Sequence, residues 1–146
     1  MFRFRLQQVL DLREQAERVL ASQLVQALDV ERSAQAQLEG LQVARRVGAE
    51  QASGAGRMRS VGELSNLAFV LQQLDGQIES AADTVNAAGE AVTHAKEALT
   101  VAHQDRRVLD RLRDRHAEDH RISKEQLDRR TMDDIALTRY THNDTP

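Results

Sequence analysis

An apolar ladder on a 3-4 step runs without a miss through the second half of the chain. It comprises Leu64, Leu67, Leu71, Leu74, Ile78, Ala81, Val85, Ala88, Val92, Ala95, Leu99, Ala102, Arg106 and Leu109, and only Arg106 in it is polar. A step averaging about 3.5 residues marks a helix whose seam faces another helix over many turns. The sole proline is Pro146, so no proline kink interrupts the pattern. A chain built this way has little room for an enclosed pocket. Its function must lie mostly in what its surfaces and ends touch.

Composition points the same way. Aromatic residues are 3% of the chain and tryptophan is absent, fewer bulky core residues than a globule of 146 residues collects. Ala, Leu, Gln, Glu, Arg and Asp dominate, the usage of long helices and coiled coils. With no cysteine, disulfides and thiolate metal sites are excluded, which suits a reducing cytosol. The net charge of −3 creates no overall field to draw nucleic acid or anionic lipid. The longest apolar run, Leu67 to Leu71, is far too short to cross a bilayer, so no direct membrane insertion is expected. Arg3 and Arg5 open the chain, but no apolar stretch of signal-peptide length follows them.

The pattern predicts an all-α fold: a long antiparallel two-helix coiled-coil hairpin with a C-terminal single-helix overhang. The first helix, over about residues 3–52, carries Phe2, Leu6, Val9, Arg13, Ala16 and Leu20, then Leu24, Ala27, Glu31, Ala34, Leu38 and Leu41. The step from Leu20 to Leu24 is four where three is due, a stutter that locally relaxes a left-handed supercoil. Around Gly48 the pattern fades. Gly54, Gly56 and Gly62, with Ser53 and Ser60 beside them, place a turn at about 53–60. Ser60 and Glu63 have capping-box spacing, so the second helix is expected over about 61–140, followed by a frayed tail at 141–146. Gly40, Gly76 and Gly89 fall inside the helices, each costing up to ~1 kcal/mol relative to alanine and weakening straightness.

A short turn between two long helices makes them antiparallel. With the turn centred near Arg57, facing residues have numbers that sum to about 114, at equal rise on both helices. Met1 to Phe4 then lie opposite residues 110 to 113, which is where the ladder stops. Beyond Leu109 the seam positions read Arg113, His116, His120 and Ser123. The segment from about Asp110 to Tyr140 is therefore expected to lack an intramolecular partner and to form a solvated single helix. Its charges support that: Arg121, Glu125 and Arg129 are spaced four apart, each pair worth a few tenths of a kcal/mol to a lone helix. Nucleic-acid binding is not expected there, because acids interleave the bases and no stacking aromatic accompanies them.

No chemistry stands out. His116 and His120 share a helical face at a spacing that can ligate zinc, but the metalloprotease motif wants Glu directly after the first histidine, where Ala117 stands. No third ligand sits in a credible pocket, so no metal is assigned. No nucleophile with a base, phosphate-cradling loop or enclosed carboxylate pair is present, so neither a cofactor nor an enzymatic activity is expected.

The two chain ends carry a family resemblance. The opening, from Met1 to Glu17, resembles that of FliJ proteins, with Phe2, Phe4, Leu6, Val9, Leu10, Arg13 and Glu17 at the expected places. The stretch Arg130-Thr-Met-Asp-Asp-Ile-Ala-Leu-Thr-Arg139 is similar to their closing signature through Asp133, Asp134, Ala136 and Arg139. The middle matches only as coiled coil.

The resemblance implies a non-enzymatic stalk component of the flagellar type III export apparatus. It implies a coiled coil like the central stalk of rotary ATP synthases, with its joined termini in the pore of the hexameric flagellar export ATPase. The other implied partners are the cytosolic domain of the membrane export gate and export chaperones. The implied location is cytoplasmic, peripherally associated with the inner face of the cell membrane at the flagellar base. Phe2, Phe4, Arg5, Leu6, Leu10, Arg13, Asp133, Asp134, Ala136 and Arg139 become candidate ring contacts. For Phe2 and Leu6, seam packing is the simpler account; for Arg5 and Arg13 it is a solvated face. The alternatives are the equivalent stalk of a virulence-type secretion system and a prefoldin-like or generic coiled-coil chaperone or scaffold.

A second candidate surface lies near the turn. Phe69 and Val70 fall off the ladder, and the pairing arithmetic sets them close to Val43 and Val47, also off the main seam. Either a wider hairpin end buries these four locally or they form an exposed apolar patch, which is the candidate export-gate contact.

Overall fold

The computed structural model describes residues 1–54 and 60–143. Two helices, α1 (Gln7–Ala52) and α2 (Val61–Asn143), pack against each other as a helical hairpin, with no strand among the described residues. Arg57, the expected centre of the turn, and the last three residues of the expected tail lie outside the described residues. Two helix limits differ from the sequence reading. The first helix starts at Gln7 instead of near residue 3, and the second runs on to Asn143.

The helix ends near the connection follow from local hydrogen bonding. Ser60 accepts the Glu63 N–H on its hydroxyl at 3.2 Å, and its carbonyl accepts the Leu64 N–H at 3.1 Å. This satisfies donors that the first turn of α2 cannot pair internally. At the other side of the connection the Ser53 hydroxyl donates to the carbonyls of Ala49 and Glu50, at 3.0 and 3.3 Å, closing the last turn of α1. Both helices pass unbroken through Gly40, Gly76 and Gly89.

By contacts the chain divides into two compact units, Met1–Glu17 with Ala102–Pro146, and Arg18–Val101. In the second of these the ladder of α2 is the packed face. Leu67, Leu71, Leu74, Ile78, Ala81, Val85, Ala95 and Leu99 are half-buried, and Ala88 and Val92 are buried. From α1 they meet Leu24, Ala27, Glu31, Leu38 and Leu41, all half-buried, and buried Ala34. The seam also continues through Gly48, which is half-buried and faces Leu71; a Cβ at position 48 would stand 3.3 Å from the Leu71 Cδ2. The fading of the pattern at Gly48 thus marks a close approach of α2 inside an unbroken helix.

The pairing in this unit is staggered relative to the sequence arithmetic. Arg45 donates to Asp75, at 2.8 and 3.5 Å, where the arithmetic sets it against residue 69. Val61 to Asn66 are all exposed, so packing starts at Leu67, one ladder step later than the apolar pattern does. The first turns of α2 lie beyond the end of α1, which a turn with level ends does not allow for.

Candidate functional site

In the unit made of Met1–Glu17 and Ala102–Pro146, Leu10 anchors the packing. It is the largest side chain that is wholly enclosed, at 0% exposure. The inward positions of α1 here are Leu10, Glu14 and Glu17. This corrects the expected seam: Leu6, Val9, Arg13 and Ala16 are exposed. The physical reason lies at Arg106, the single polar member of the ladder. Glu17 binds its guanidinium directly, and Asp110 takes a second bond from it at 3.0 Å. A register with Arg13 in the seam would bring like charges together on this side of Arg106. Instead Arg13 sits at the margin and pairs with Asp105 at 3.3 Å.

His103 completes the cluster, with Nδ1 2.9 Å from the second Glu17 oxygen. Hydrogen bonding with His103, and then with Arg106, holds the Glu17 carboxyl below its usual range, and the same contact with Glu17 raises Arg106. A carboxylate whose value is lowered on folding adds stability above the unfolded carboxylate range, and that stability is lost as the pH falls through the folded value. Glu17→Gln is therefore expected to destabilise the protein at neutral pH, with the gap to the parent closing on acidification. Denaturant midpoints followed down to about pH 3 measure this; a gap that stays constant throughout would contradict it. The comparison is always with the parent at the same pH.

The first four residues are not helical. They lie along α2 as a strap, fixed by a turn in which the Phe4 carbonyl accepts the Gln7 N–H at 3.1 Å. Phe4 is buried and meets His116 edge-on, with ring centroids 5.8 Å apart. Phe2 meets His120 at 5.7 Å, and with Met1 it lines a shallow cleft with Arg121, Ser123, Lys124 and Leu127. Two strap residues thus cover four residues of α2, because extended chain advances about 3.3 Å per residue against ~1.5 Å in a helix.

The expected overhang is present but starts later than about Asp110. Phe4 reaches His116 instead of residue 110, and Leu112, Arg113 and Ala117 are half-buried. The bare helix begins at Arg121, and every described residue from there to Asn143 is exposed. The two histidines at metal-ligand spacing are each set against a phenylalanine ring. Among the described residues no group of three or more His, Asp or Glu side chains is placed to hold a metal ion.

The candidate residues therefore divide. Phe4 and Leu10 face inward, Phe2 is half-buried, and Arg5 and Leu6 are exposed at the strap's junction with α1. Asp133, Asp134, Ala136 and Arg139 are exposed on the bare part of α2. Its first turns are laced by Arg121, which bonds Glu118 on one side and Glu125 on the other. In the other unit, Val43, Val47, Phe69 and Val70 are all exposed, Phe69 at 61%, so local burial does not account for them. The stagger of that unit sets Phe69 and Val70 level with the last turn of α1 and away from Val43 and Val47. Sequence reasoning missed the Glu17–Arg106–His103 cluster. The available signal was the lone cation in an apolar ladder, which asks for an acid at the facing position.

Among the described residues no helix is long and apolar enough to cross a membrane. Neither a curated protein nor a solved structure matches the chain. The family model described as "Flagellar FliJ protein" matches residues 1–145, taking in both terminal signatures and the helices between them. A helical hairpin matched over that length is a member of the FliJ family of flagellar proteins.

Proposed function

We propose that this chain is a non-enzymatic stalk of the flagellar type III export apparatus, coupling the hexameric export ATPase to the cytosolic domain of the export gate and receiving export chaperones. The observation that carries the reading is the bare helix from Arg121 to Asn143. It displays the closing family signature, Asp133, Asp134, Ala136 and Arg139, on a fully exposed surface. Packing does not explain these residues, because none of the described residues covers them. Arg5 and Leu6 offer a further exposed contact at the strap. The exposed Phe69 and Val70 support a second contact, to the gate. The proposed location is the inner face of the membrane at the flagellar base, without insertion.

Binding of the full chain to the export ATPase, and promotion of ring assembly, test the proposal. The double substitution Ala136→Glu with Arg139→Glu is expected to weaken ring binding about tenfold or more, as charge reversal and added bulk do at a packed contact. Helicity by circular dichroism should be unchanged. Parent-like ring binding and assembly by the variant would overturn the ring contact. Phe69→Ala with Val70→Ala, assayed against the gate domain, forms the matching arm for the second surface.

A further inference from the structure

One stretch of the bare helix carries charges that the chain itself does not use. Its sequence is Arg129-Arg130-Thr131-Met132-Asp133-Asp134, which changes sign about its own midpoint. Each arginine has an aspartate four residues on, a spacing at which helices form ion pairs. Yet among the described residues none of these four side chains makes a hydrogen bond or an ion pair. Arg121, two turns earlier, is bonded on both sides. Exposed apolar residues flank the charged block: Ile122 before it, Leu137 and Tyr140 after it.

We propose that this helix pairs with the same helix of a second copy of the chain, antiparallel, about a two-fold axis passing between Thr131 and Met132. The pairing surface is isologous, so each contact occurs twice. Ser123, Gln126, Arg130, Asp133, Leu137 and Tyr140 form a 3-4-3-4-3 stripe on one face of α2. With the axis at the midpoint, Arg130 of each copy faces Asp133 of the other. Gln126 faces Leu137, and Ser123 faces Tyr140, on either side of that central pair. Arg129 and Asp134 fall at opposite margins of the stripe, where they add to the sign of the charge on each half of the block. A parallel arrangement sets arginine on arginine and aspartate on aspartate, so charge selects the antiparallel one. The same pairing leaves Leu137 and Tyr140 less exposed than in the single chain. It does not rest on the ring contact proposed above, but it covers Asp133 and Asp134, so a ring that uses these residues and a second copy would exclude each other.

Sedimentation equilibrium of the full chain, over low to high micromolar concentration, tests the pairing. A reversible dimer that weakens with added salt is expected. Asp133→Arg with Asp134→Arg makes the block wholly cationic, and Arg129→Asp with Arg130→Asp makes it wholly anionic. Each double variant alone should lose about tenfold or more in self-affinity, and an equimolar mixture of the two should form a heterodimer. The fourfold variant, with both pairs exchanged, should recover the parent's dimer. Because these positions are solvated in the single chain, circular dichroism should report unchanged helicity in all three. A parent chain that stays monomeric over the whole range would overturn the proposal, leaving another protein's helix as the occupant of this face. So would a dimer indifferent to the double variants, or a fourfold variant that fails to recover it.

Discussion

Leu10→Ala is expected to cost about 2–4 kcal/mol of unfolding free energy, read as a fall in the denaturant midpoint by circular dichroism. Leu10 is wholly enclosed, where few of the described side chains are buried at all. Truncation removes apolar contact and leaves a cavity, and the two penalties add. The neighbouring Val9 provides the control. It belongs to the expected seam, but it is 39% exposed in the structure. Val9→Ala should therefore change stability by less than about 1 kcal/mol. A larger loss at Val9 than at Leu10 would restore the register read from the sequence and reject the observed one.

Val92→Asp is expected to be at least as damaging, with a loss of about 3 kcal/mol or more. Val92 is buried, and Ala88 on the preceding turn is buried with it. A carboxylate placed there must shed water. The charge that α1 brings to this part of α2 has the wrong sign: the Glu31 carboxylate lies 3.7 Å from where a Cβ on Gly89 would stand, one turn before Val92. The exposed Val101 gives the comparison, and Val101→Asp should shift stability by only about 0.5 kcal/mol. Equal tolerance at the two sites would mean that the helices are not packed through Val92.

The success of the sequence reading at α2 has a simple physical basis. A seam of Leu, Ile, Val and Ala on a regular step states its face directly, and from Leu67 to Leu109 every member is at least half-buried. The facing stripe of α1 is harder to read, because two of its inward positions near the chain start are Glu14 and Glu17. Periodicity of apolar residues cannot see a seam held by carboxylates. There the register is set by complementarity to Arg106, which is information about a pair of helices and not about either alone. The strap failed for a different reason. Phe2, Phe4 and Leu6 suit a helical stripe as well as an extended segment, and short apolar runs do not separate the two. Of the candidate site, the closing signature was legible as exposed because no complementary stretch exists for it. The burial of Leu10, by contrast, required the register.

The Arg45–Asp75 pair joins residues 30 apart in sequence, and Glu17–Arg106 joins residues 89 apart. Formed directly from an open chain, the wider closure costs about 1 kcal/mol more in entropy. Assembly from the connection outward avoids that difference, since each new pair then closes only a small additional loop. The hairpin should accordingly zip in one direction, with Leu10 enclosed late. During synthesis the residues of α2 that enclose Leu10 leave the ribosome long after Leu10 itself, so this side chain waits uncovered for them.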